Sequence, residues 1–102
     1  MAIEVRLEDE RGNEQAHALD TTDLLGTLAR RDPASLTRFR LLRYIDPYGD
    51  TVFNGLQAPD LLQDIAELKT AISDEGALAF LRDLETLVAR CPEGYLLRFY
   101  GD

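Results

Sequence analysis

Tryptophan is absent, and cysteine, methionine, histidine and lysine each occur once among the 102 residues. The lone cysteine, Cys91, cannot close an internal disulfide, which suits a reducing compartment. With His17 as the one histidine, most nucleophilic and transition-metal mechanisms lose their usual residues. No phosphate loop, dinucleotide fingerprint, HExxH, CxxC or Gly-x-Ser-x-Gly elbow occurs. Apolar runs stay far below bilayer length, and Met1-Ala2-Ile3-Glu4-Val5-Arg6 lacks the basic start and apolar core of a signal peptide. A cytoplasmic protein with no membrane association is the expectation. Positive charge is scarce: 11 basic residues face 19 acidic ones, a net charge of −8. Such a surface repels phosphate backbones and anionic lipid, so nucleic acid is a poor partner and a basic protein an easier one.

What is present describes a soluble domain. Apolar residues make up 45% of the chain and charged residues 29%, spread evenly enough for one modest core. We expect a single α+β domain, an antiparallel sheet of four or five strands with about three helices packed on one face.

Ile3, Val5 and Leu7 alternate with Glu4, Arg6 and Glu8, the period of a strand with one buried face. A turn over residues 9–14 leads to a second, short strand at Gln15 to Leu19. Asp20 then reads as the N-cap of a helix ending near Arg31, with Leu24, Leu25, Leu28 and Ala29 as its buried stripe and Asp32-Pro33 as its stop. Gly26 costs that helix some stability. Ala34 to Arg38 reads as an irregular connection.

Residues 40–54 carry the pattern of a β-hairpin, with strands at 40–45 and 50–54 around Asp46-Pro47-Tyr48-Gly49. In that turn Asp can accept from the backbone ahead, Pro pre-sets φ, and Gly tolerates a positive φ. A second helix opens at Ala58-Pro59-Asp60 and carries a stripe of Leu61, Ile65, Leu68 and Ile72, with Asp60, Gln63, Asp64 and Glu67 placed away from it. Ser73-Asp74-Glu75-Gly76 separates it from a third helix at 77–90, and matched apolar faces predict a helical hairpin. Residues 95–100 form the last strand. Its Leu96-Leu97-Arg98-Phe99 echoes Leu41-Leu42-Arg43-Tyr44 and suggests similar environments for the two.

Three groups of residues invite a functional reading. Arg30, Arg31, Arg38, Arg40 and Arg43 form a basic segment with Phe39, Tyr44 and Tyr48 interleaved, as single-strand binders require. Helix-dipole complementation and internal ion pairs also account for it, and the overall charge favours that reading. Asp46 and Asp50, joined by Asp102 if the last strand lies beside the hairpin, can hold a divalent cation or supply acid–base chemistry. The competing reading has Asp46 capping its own turn and Asp50 pairing with Arg43 or Arg98. Tyr48, at the tip, is a candidate interface anchor. Cys91, at the end of the third helix's stripe, reads as a small buried hydrophobe.

The segment Ile45-Asp46-Pro47-Tyr48-Gly49-Asp50-Thr51-Val52-Phe53-Asn54 resembles one in short, uncharacterised bacterial proteins, where a DPYGDTVFN-like hairpin precedes a helical pair and a final aromatic strand ending near Gly-Asp. The resemblance covers about the last two thirds of the chain. It implies a bacterial cytoplasmic protein of shared fold and brings no activity, cofactor or catalytic residue.

The reading that follows is a non-enzymatic acidic interaction module, of the kind an immunity or inhibitor protein presents to a cationic toxin, since matched charge speeds encounter. Its expected contacts are Tyr48, Asp46 and Asp50 with Asp64 and Glu67 of the second helix. No catalytic residue, resident metal or cofactor is expected. The alternative is a small ligand or divalent cation held by the carboxylate cluster on the hairpin.

Overall fold

The computed structural model describes residues 3–101. The strand alternation at the start of the chain produces β1 (Glu4–Glu8), with Val5 and Leu7 buried on one side and Glu4 and Arg6 on the other. Asp9 then turns the chain: its carboxylate accepts the backbone N–H groups of Arg11 and Asn13, both at 2.9 Å, while Gly12 adopts φ +84°. These donors hold the Asp9 carboxyl below the usual carboxylate range. The return strand, β2 (Glu14–Leu19), pairs antiparallel with β1.

The carboxylate of Asp20, completely buried, accepts the backbone N–H groups of Leu24 at 2.9 Å and Leu25 at 2.7 Å. It thereby satisfies two of the orphan donors at the start of α1 (Leu24–Arg31). Asp20 therefore caps the helix, but not from the expected N-cap position, which Asp23 occupies without a side-chain cap bond. Asp23 intervenes in the left-handed region at φ 53° and pairs with Arg30 across one side of the helix. Gly26 is accounted for by this pair, because a Cβ there would overlap the Asp23 carboxylate and crowd the Arg30 guanidinium.

The incoming strand expected at residues 40–45 is not formed. Pro33–Leu36 and Leu42–Tyr44 are short 3₁₀ turns, so no hairpin exists and only its outgoing arm, β3 (Asp50–Asn54), is a strand. Leu36, Phe39, Leu41, Leu42 and Ile45 are all buried, and the neighbours Leu41 and Leu42 cannot both face one side of a strand. Backbone N–H groups of Phe39, Tyr44 and Ile45 donate three residues back, to Leu36, Leu41 and Leu42. The likeness between residues 41–44 and 96–99 is thus one of sequence, not of environment.

A helical hairpin follows, as expected. It comprises α2 (Ala58–Ala71) and α3 (Glu75–Ala89), packed together and joined by the Lys69–Glu85 ion pair at 3.1 Å. The Asp74 side chain caps α3 by accepting from the Ala77 N–H at 2.9 Å. The last strand, β4 (Leu96–Tyr100), inserts between β1 and β3 and gives the antiparallel order β2-β1-β4-β3. Among the described residues four antiparallel strands and three α-helices make the α+β arrangement read from the sequence. Helix α3 lies over β1 and β2. Val5, Leu7, Phe53, Leu97 and Phe99 enter one core with Leu61, Ile65, Leu81 and Leu84, and Phe53 meets Phe99 edge-to-face at 5.6 Å. Gly55, after β3, is required by a close approach: a Cβ there would overlap the Pro92 carbonyl and the Glu93 nitrogen of the α3–β4 connection. No helix among the described residues is long and apolar enough to cross a membrane.

Candidate functional site

Side chains opposite the helices form an open sheet face, and its polar groups are bound to one another across all four strands. His17 on β2 approaches Glu14 at 3.4 Å, and Arg6 on β1 contacts Glu14 at 3.2 Å and Glu4 at 2.6 Å. The Arg6 guanidinium lies 4.7 Å from the ring centroid of Tyr100 on β4. The Tyr100 hydroxyl donates to Glu8 at 3.0 Å, Arg98 donates to the same carboxylate at 3.1 Å, and the Arg98 guanidinium also approaches Asp50 of β3 at 3.9 Å. Burial, and then the bond to Glu8, push the Tyr100 phenol above its ordinary value. Glu8 in turn holds the Arg98 guanidinium more firmly in its charged form.

Asp46 caps its own turn, accepting the Tyr48 N–H at 2.8 Å, while its own N–H donates to the Thr51 hydroxyl at 2.9 Å. The turn backs onto the end of β4, where the Gly101 N–H donates to the Gly49 carbonyl at 2.9 Å. Asp50 faces Arg98, whereas Arg43 stacks over Tyr44 at 5.2 Å. Asp46, Tyr48 and Asp50 are thus brought together at the surface, with Tyr48 66% exposed. Asp102 lies outside the described residues.

The two carboxylates of the second helix part company. Glu67 is exposed on α2. Asp64 is not an outer carboxylate, and its expected place at a docking surface is corrected: it is buried and accepts the backbone N–H groups of Arg40 at 3.2 Å, Leu41 at 2.7 Å and Leu42 at 3.1 Å. Its position three residues after Leu61 and four before Leu68 sets it within the buried stripe. The spacing carried that signal, and the charge obscured it.

Other residues singled out in the sequence are engaged elsewhere. Arg30 pairs with Asp23, Arg40 with Asp60 at 3.4 Å, and Arg38 stacks on Phe39 at 4.7 Å, so these cations serve local contacts. Cys91 is a buried free thiol, pushed up by that burial. No group of three or more His, Cys, Asp or Glu side chains suited to a metal ion occurs among the described residues. A shallow groove of about 220 Å³ lies where α1 and α3 begin, lined by Thr22, Leu24, Leu28 and Ala77 between Asp23 and Asp74. Both carboxylates are committed, to Arg30 and to the Ala77 N–H.

Along β3 the open face changes character, because Val52, opposite Arg98, is an apolar residue on it. Among the described residues five large apolar side chains are exposed, and four of them, Tyr44, Tyr48, Val52 and Leu56, follow one another along this edge strand and its two flanks. The sequence singled out Tyr48 as an interface anchor and Tyr44 only among the aromatics of the basic segment, and it left Val52 and Leu56 unmarked. Val52 reads as one more apolar residue of a strand, and nothing local marks β3 as an edge until the strand order is known. Comparison of the chain with protein-family models, with curated proteins and with solved structures finds no match in any of the three.

Proposed function

We propose that this chain is a non-enzymatic protein-binding module that docks a basic protein partner along the β3 edge and the 46–49 turn. The observation that carries this reading is the run of exposed Tyr44, Tyr48, Val52 and Leu56 along one edge strand, beside the exposed carboxylates of Asp46 and Asp50. Aromatic anchors with a charged rim are the composition of a docking surface, and an edge strand adds main-chain groups that an extended segment can pair with. The chain's net charge of −8 supports a cationic partner and fast, steered encounter. An inhibitor or immunity protein held against a basic toxin has this chemistry. The open face speaks for binding over catalysis, because its tyrosine, arginines and carboxylates are engaged with one another. The cation-site alternative has little support, since Asp46 is occupied with its turn and Asp50 faces Arg98.

The test is capture from a lysate of the source organism on immobilised chain, with wild type and the double variant Tyr48→Ala/Asp50→Asn in parallel. A basic protein retained by wild type, lost from the variant and released as salt rises is the expected result. No retained protein, or retention indifferent to both salt and substitution, overturns the reading.

A further inference from the structure

We draw no further inference here: the strongest candidate, the shallow groove where α1 and α3 begin, with Leu24, Leu28 and Ala77 between Asp23 and Asp74, has both carboxylates engaged within the chain, and nothing in the structure shows what covers its apolar floor.

Discussion

The Leu41 backbone N–H donates to the Asp64 carboxylate at 2.7 Å, tying a 3₁₀ segment to the middle of a helix more than twenty residues later. Arg40 and Leu42 donate to the same side chain, so one buried carboxylate serves as the acceptor for three successive N–H groups. It does for this segment what an N-cap does for a helix, with the cap delivered from another element.

Replacing Asp64 by Ala strands those donors, two of the bonds being buried, and should cost about 3 kcal/mol of unfolding free energy. Urea denaturation followed by circular dichroism would show a lower midpoint with an unchanged slope. Glu67→Ala, one turn further along α2 and exposed, should stay within about 0.5 kcal/mol of wild type. Equal effects of the two substitutions would contradict the burial assigned to Asp64.

The same residue explains where sequence reading succeeded and where it failed. Strand β1, both long helices and β4 announce themselves by local periodicity, and Asp20 by local cap chemistry, because each depends on neighbours a few residues away. Residues 40–45 are apolar enough for a strand, but the choice between strand and 3₁₀ turn is made by Asp64, a partner distant in sequence. The docking edge was less legible still. Exposure of Val52 and Leu56 follows from β4 inserting between β1 and β3, a matter of topology that no local pattern encodes.

Gly55 separates β3 from α2 where the Pro92 carbonyl crowds the position a Cβ would take. A side chain there would meet backbone atoms, which cannot rotate away. Gly55→Ala should therefore cost about 2–3 kcal/mol, chiefly by forcing the two connections apart. Gly26→Ala would meet the ends of the Asp23 and Arg30 side chains, which can move, and it gains helix propensity. Thermal unfolding of the two variants should rank Gly55→Ala well below Gly26→Ala; the reverse order would exclude backbone overlap as the deciding cost.

Tyr100 is raised above the ordinary phenol value near 10, first by burial and then by its hydrogen bond to Glu8. A group whose folded value is raised contributes stability below the unfolded value and loses that contribution as pH climbs through the folded one. Ultraviolet titration of wild type against Tyr100→Phe should therefore isolate one phenol ionising later than free tyrosine. Glu8→Gln should bring that transition earlier without restoring it completely, since burial remains. An unchanged transition in Glu8→Gln would remove the carboxylate from the explanation.

Asp20 sets two physical effects against each other, and its pH dependence shows which prevails. Burial disfavours the ionised carboxylate, while the N–H groups of Leu24 and Leu25 favour it; burial is the larger, and the Asp20 carboxyl is raised from its ordinary value near 4. With the folded value above the unfolded one, the contribution is fully present below pH 4 and is lost as pH rises through the folded value. Asp20→Asn cannot ionise and keeps one acceptor oxygen. Wild type should therefore lose stability relative to Asp20→Asn between pH 4 and pH 7, as read from chemical denaturation at the two values. The opposite trend would mean that the start of α1 outweighs burial, and that Asp20 caps the helix as a carboxylate settled in its ionised form.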